Sequence, residues 1–182
     1  MGAVVTMTFK KAKVTKHTQF RNGMEIHDCN SASDSRLLTI DNVNGRNEFF
    51  TIQLVGGGAA GSDQKGGAAG ETKIVHYPTM SGQYFIKLGA GGQRGTNING
   101  GTTAIYKVTD TGAYELMEFA LGGVGSNERI FTEDIPSGKT AADLARGEVP
   151  NFDEADTGGA IRCGSGGDAG NNGIMGGVVI KW

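Results

Sequence analysis

The chain has 182 residues and a net charge of −2; 20% of it is charged, 37% hydrophobic, and 32 residues are glycine. That length fits one domain, or one domain with an arm, and the slightly acidic balance argues against a nucleic-acid binder or a basic membrane-surface protein. No apolar run approaches the ~20 residues of a membrane span, and glycine at more than twice its usual share of about 7% needs a structural reason, since each one held in place costs roughly 0.5–1 kcal/mol relative to alanine.

Residues 3–9 (AVVTMTF) are apolar and β-branched and read as a strand. The basic stretch that follows carries Lys10, Lys11, Lys13, Lys16 and Arg21, while residues 36–43 (RLLTIDNV) offer a second strand before the Asn44-Gly45 turn signal. Residues 1–46 are read either as an arm or small sheet that docks on a neighbour, or as the first strands of the one domain. The N-terminus lacks a charged-then-apolar leader, so synthesis and folding in a cytoplasm are expected. Cys29 and Cys163 are too few for a disulfide framework and too isolated for a zinc site, and are expected as free buried thiols.

From residue 48 a strand that ends in glycine becomes the recurring unit. Phe50, Ile52 and Leu54 alternate with polar neighbours and run into VGGGAAG; Tyr84, Ile86 and Leu88 do the same before GAGGQRG. Residues 102–108 and 115–121 form a hairpin around Asp110-Thr111-Gly112, and residues 178–182 close the chain on a strand. Residues 140–146 (TAADLAR) are the single helix candidate, with Thr140 to cap it and Gly147 to stop it. They lie in an acidic excursion, residues 130–156, read as a surface insertion into a domain spanning 47–182.

The glycines follow a period of three. Gly58, Gly61, Gly67 and Gly70 share one register, Gly89, Gly92, Gly95 and Gly101 another, and Gly164, Gly167, Gly170, Gly173 and Gly176 a third. Three residues per turn is the period of the polyproline II conformation, not of an α-helix or a strand. Such threefold helices can pack side by side, glycine faces inward, with N–H groups bonded to carbonyls of neighbouring helices. Collagen is excluded, because only three prolines occur and none lies in the repeat.

Motifs suggestive of chemistry lack their context. Gly56, Gly58 and Gly61 spell G-x-G-x-x-G after a strand, but further glycines stand where the phosphate-binding helix must begin. Gly138-Lys139-Thr140 has Glu133 where a P-loop requires glycine. Gly166-Gly167-Asp168 lacks the offset and tandem copies of calcium-binding repeats. His17, His27 and His76 are scattered, and no nucleophile motif or carboxylate pair suggests catalysis. No enzyme, cofactor or metal is expected.

The order of strand-VGGGAAG, a polar strand, YFIKLGAGGQRG, GG-T-T-A and a glycine repeat closing on GGVVIKW resembles the glycine-rich domains of bacteriophage tail fibres and tail-tip adhesins. The resemblance covers residues 49–182. It implies an all-β fold with very little α-helix: a β-sandwich, jelly-roll-like, with packed polyglycine II helices, loops exposed to host surface molecules, and often trimeric assembly. The expected function is therefore a virion protein, a fibre, spike or adhesin that binds a host surface glycan or protein without catalysis. It would be assembled in the host cytoplasm, exposed on the particle, and joined to other virion proteins through residues 1–46. Neither nucleic-acid binding nor membrane insertion is expected. The alternative is a structural subunit such as a capsid-decoration, minor capsid or filament protein. Candidate contact residues are the polar tips between glycine runs: Ser62, Asp63, Gln64, Lys65, Gln93, Arg94, Asn97, Asn99, Asn127, Glu128, Arg129, Asn171 and Asn172. Read blandly, these are solvated turns.

Overall fold

The computed structural model describes residues 24–40, 50–125 and 163–182. These residues contain no helix and eight strands: β1 (Met24–His27), β2 (Ser35–Ile40), β3 (Phe50–Val55), β4 (Thr72–Tyr77), β5 (Gly82–Lys87), β6 (Thr103–Val108), β7 (Tyr114–Ala120) and β8 (Gly177–Lys181). They form two antiparallel four-stranded sheets, ordered β1-β8-β3-β4 and β2-β5-β6-β7. The fold is all-β.

Period-two alternation places the core. Ile52 and Leu54 of β3 and Val178 and Ile180 of β8 share a buried cluster with Leu38 of β2, Tyr84 and Ile86 of β5, Ile105 of β6, and the adjacent Met80 and Leu88. Both sheets thus feed one core, and each side chain buried there contributes about 1.5–3 kcal/mol. The buried Tyr84 hydroxyl is satisfied by the Ser81 N–H and carbonyl, both at 3.1 Å. At one side of the sheets Arg36 of β2 pairs with Glu25 of β1. At the other Lys73 of β4 meets Glu118 of β7 at 2.5 Å and stands 5.2 Å from the Phe119 ring centroid.

Of the two readings of the N-terminal third, residues 24–40 fit the second, the first strands of the one domain. Residues 24–40 are not a separate arm, because β1 pairs with β8 and β2 with β5 as edge strands of the two sheets. The short β1 buries Glu25 and His27 and half-buries Ile26, too polar a pattern to read as a strand. The expected strand at 3–9, the basic stretch to Arg21, the Asn44-Gly45 turn, the helix at 140–146 and the insertion at 130–156 lie outside the described residues.

The cysteines require a correction. Cys29 and Cys163 are not free thiols but a disulfide, with Cα atoms 5.4 Å apart across 134 residues of sequence. The bond ties the loop after β1 to the start of the last glycine segment. It packs with Val55, Val179 and Ile26 in a second small cluster.

The glycine runs are shorter and more numerous than their registers suggest. Each expected run folds back on itself, giving segments g1 (56–62) and g2 (65–71), g3 (89–93) and g4 (97–102), and g6 (163–168) and g7 (171–176); g5 (121–125) follows β7. The supposed unbroken line from Gly164 to Gly176 is therefore a turn between two segments. Gly95 and Gly170 occupy the turns, with φ of +82° and +80°, and their missing side chains face no close backbone.

Segment g1 lies at the centre of the other six. Its Gly56, Ala59 and Ser62 N–H groups donate to the Glu71, Ala68 and Lys65 carbonyls of g2; Gly57 and Ala60 donate to Gly101 and Ile98 of g4; Gly58 and Gly61 donate to Ile174 and Asn171 of g7, at 2.7–3.0 Å. Donors three apart thus address the same neighbour, whereas a strand addresses alternate sides with a period of two. In return the Gly57, Gly58 and Ala59 carbonyls accept from Gly123 of g5, Gly92 of g3 and Gly167 of g6, each at 2.8 Å.

The six outer segments also bond to one another in a closed circuit. Gly67 and Gly70 of g2 donate to g6, Ile174 of g7 to g6, Gly173 and Gly176 of g7 to g3, Gly101 of g4 to g3, Gly100 of g4 to g5, and Glu71 of g2 to g5. Glycine is required because backbones touch. A Cβ on Gly58 would lie 1.8 Å from the Ser165 oxygen, and Cβ atoms on Gly61, Gly67, Gly70, Gly89, Gly92 and Gly173 would each lie 2.0–2.2 Å from a backbone carbonyl oxygen. For Gly164, Gly167 and Gly176 the nearest atoms would stand at 2.3–2.4 Å.

Candidate functional site

The bundle has a base, where its segments join the strands, and an opposite end where the turns lie. Segment g1 leaves β3 and g2 returns to β4; g3 leaves β5 and g4 returns to β6; g7 enters β8. The three turns are consequently brought to the same end.

Each turn is fixed by its own chemistry. Ser62 accepts the Lys65 N–H on its hydroxyl at 3.0 Å while its backbone N–H donates to the Lys65 carbonyl at 2.7 Å, closing the first. The second is closed by the Gln93 N–H to the Asn97 carbonyl at 2.6 Å, with Gly95 at positive φ. In the third, the Asn171 N–H donates to the Asp168 carbonyl at 2.8 Å, with Gly170 at positive φ.

Arg94 ties the three together. Its backbone N–H donates to Asn172 Oδ1 at 2.9 Å, one guanidinium nitrogen reaches the Gly170 carbonyl at 3.4 Å, and another pairs with Asp63. The Gly170 N–H adds a 2.7 Å bond to the Ser62 carbonyl. Beside them Asn99 Oδ1 accepts the Gly125 N–H at 2.8 Å, holding the end of g5, and the Ile98 side chain occupies the space a Gly125 side chain would need.

The structure therefore brings Ser62, Asp63, Gln64, Lys65, Gln93, Arg94, Asn97, Asn99, Asn171 and Asn172 into one cluster, exposed apart from the half-buried Lys65. Asn127, Glu128 and Arg129 lie outside the described residues. Thr96, inside the polar tip 93–99, and Asp168, expected to face outward with Asn171 and Asn172, are exposed at the same end. Sequence reasoning missed the Arg94–Asp63 pair, which joins residues from two different turns and leaves no local pattern.

The G-x-G-x-x-G glycines Gly56, Gly58 and Gly61 lie in g1, and the chain beyond them turns back at Ser62 rather than starting a helix. Among the described residues no group of three or more His, Cys, Asp or Glu is placed to hold a metal ion. Comparison with known proteins finds no matching family model, no curated relative and no matching solved structure.

Proposed function

We propose that the chain is the attachment module of a bacteriophage fibre, spike or tail-tip adhesin, and that the turn cluster binds the bacterial surface without catalysis. The two sheets are read as the layers of a β-sandwich whose first three strands alternate between layers, as in a jelly roll. The seven glycine segments are read as polyglycine II helices in hexagonal packing. The observation that carries this proposal is the three-residue hydrogen-bond period about g1, with three polar turns gathered at one end of the bundle. A rigid bundle suits recognition because turns already ordered lose less entropy on binding.

Residues 1–23 are proposed to join other virion proteins, with assembly as a trimer. A purely structural subunit is the second reading, favoured by Tyr114 and Leu116 of β7 and Ile74 of β4, which are 46%, 55% and 55% exposed near the sheet edges.

Adsorption of the labelled chain to a panel of bacterial strains tests the first reading. Binding to a subset of strains is expected, with at least a tenfold loss in Arg94→Ala and an unchanged circular dichroism spectrum. Deletion of residues 1–21 should spare adsorption but abolish assembly. Particles or fibres that never adsorb to cells would favour the structural subunit.

A further inference from the structure

Three carboxamides at the turn cluster share an arrangement. Asn97 Oδ1 accepts the Asn99 N–H at 3.3 Å, Asn99 Oδ1 accepts the Gly125 N–H at 2.8 Å, and Asn172 Oδ1 accepts the Arg94 N–H at 2.9 Å. A backbone N–H can only donate, so the atom facing it must be the oxygen. Each Nδ2 is then left with its two hydrogens and no bond to a described residue, on a side chain that is exposed. Anchoring the oxygen also fixes the rotamer, so little of the usual side-chain entropy is lost when the amino group is used.

Resting on the reading of this cluster as the attachment surface, we infer that its ligand is a glycan bearing carboxylate or acyl-carbonyl oxygens. Those groups accept hydrogen bonds and donate none, which complements a set of fixed amide donors. A plain sugar hydroxyl is less well matched. It brings a donor as well as an acceptor, whereas each asparagine oxygen already has one of its two lone pairs on a backbone N–H and only the Nδ2 hydrogens are wholly unused. Arg94, with Asp63 beside it, holds the donor-bearing turns together instead of supplying an unbalanced charge.

The test uses the full chain and three immobilised probes: oligogalacturonate for carboxylate, chitooligosaccharide for the acetamido carbonyl, and dextran for neither. Binding to at least one of the first two and none to dextran is expected. Asn97→Asp and Asn172→Asp keep an oxygen on the backbone N–H but replace the amino group by a second oxygen. They should weaken binding at least tenfold while leaving the melting temperature unchanged. Dextran binding as strong as that of the other probes, or Asp variants that bind as the parent does, would overturn the inference. A chain that adsorbs to cells, ignores all three probes and tolerates both Asp variants overturns the glycan class alone. A chain that binds an acceptor-bearing probe but adsorbs to no cell supports the donor array and overturns the attachment reading.

Discussion

At Gly58 one methyl group separates a packed bundle from a broken one. Its added Cβ would meet the Ser165 oxygen at 1.8 Å, with only backbone nearby to yield. Gly170 differs: the nearest atom to an added Cβ is an Arg94 nitrogen at 3.8 Å, and what an L-residue meets there is the +80° φ. That conformation costs about 1–2 kcal/mol for an ordinary residue. Asn171 is exposed, and its contribution to the bundle is its backbone N–H and carbonyl, not its side chain. The expected order of destabilisation in urea is Gly58→Ala, more than about 3 kcal/mol, then Gly170→Ala, then Asn171→Ala near zero. Equal midpoints for the three variants would refute backbone contact as the reason for glycine. The need for glycine at these places was legible in the register of three. Which glycines touch backbone and which only turn was not, because that depends on where the chain reverses.

His27 supplies a second residue-scale test. It is 4% exposed, and its Nε2 makes no hydrogen bond among the described residues. Burial first, then the Arg36 charge, lowers its pKa from the usual 6.5, against the opposing pull of Asp28 and Asp34. The unfolded chain therefore takes up the proton near 6.5 while the folded chain resists. In the window from there down to the depressed folded value the unfolded state binds more protons, and stability falls as pH falls. Asp34, whose carboxyl is lowered from 3.8 by its hydrogen bond to Lys87, titrates below 3.8, outside the range from pH 7.5 to 5.5. Wild type should lose more of its urea midpoint between pH 7.5 and 5.5 than His27→Gln does; parallel losses would exclude His27 as the cause.

Among the elements, β3, β5, β6, β7 and β8 were readable to within a residue or two: β3 and β5 by alternation that runs into glycine, β6 and β7 as a hairpin about Asp110-Thr111-Gly112, and β8 as the apolar run behind the last glycine repeat. Strand β1 was not, being four residues long and recruited by β8 from a distant part of the chain. The Cys29–Cys163 bond was hidden for the same reason: two cysteines 134 residues apart say nothing about pairing until β1 is placed beside β8. A cross-link over so long a loop mainly restrains the unfolded chain and is worth about 2–4 kcal/mol. Cys29→Ser with Cys163→Ser should lower the denaturation midpoint accordingly, and a reducing agent should do the same to wild type but nothing to the double variant. No effect of the reductant on wild type would show that the bond contributes no stability.

For the whole molecule, the sheets and the glycine bundle are continuous: β3 runs into g1, g2 into β4, β5 into g3, g4 into β6, β7 into g5 and g7 into β8. Six of the seven segments are thus continuous with a strand at one end, and g6 alone is not. Loss of g1 would remove partners from all six surrounding segments, and through them loosen the strand ends of both sheets. A single cooperative transition is therefore expected, although domains can also open in parts when contacts between units are few. Trp182, the only tryptophan, lies past β8 with its ring 6.0 Å from that of Phe50, at the sheet end away from the bundle, and reports on the sheets alone. Amide exchange at Gly57, Gly58 and Ala59 reports on the bundle. In wild type the opening free energy from those amides should equal the unfolding free energy followed by Trp182 fluorescence, and a milder variant such as Gly170→Ala should lower both by the same amount. Exchange of the g1 amides at a free energy well below that of the Trp182 transition would show that the bundle opens by itself, and that the sheets carry it without depending on it.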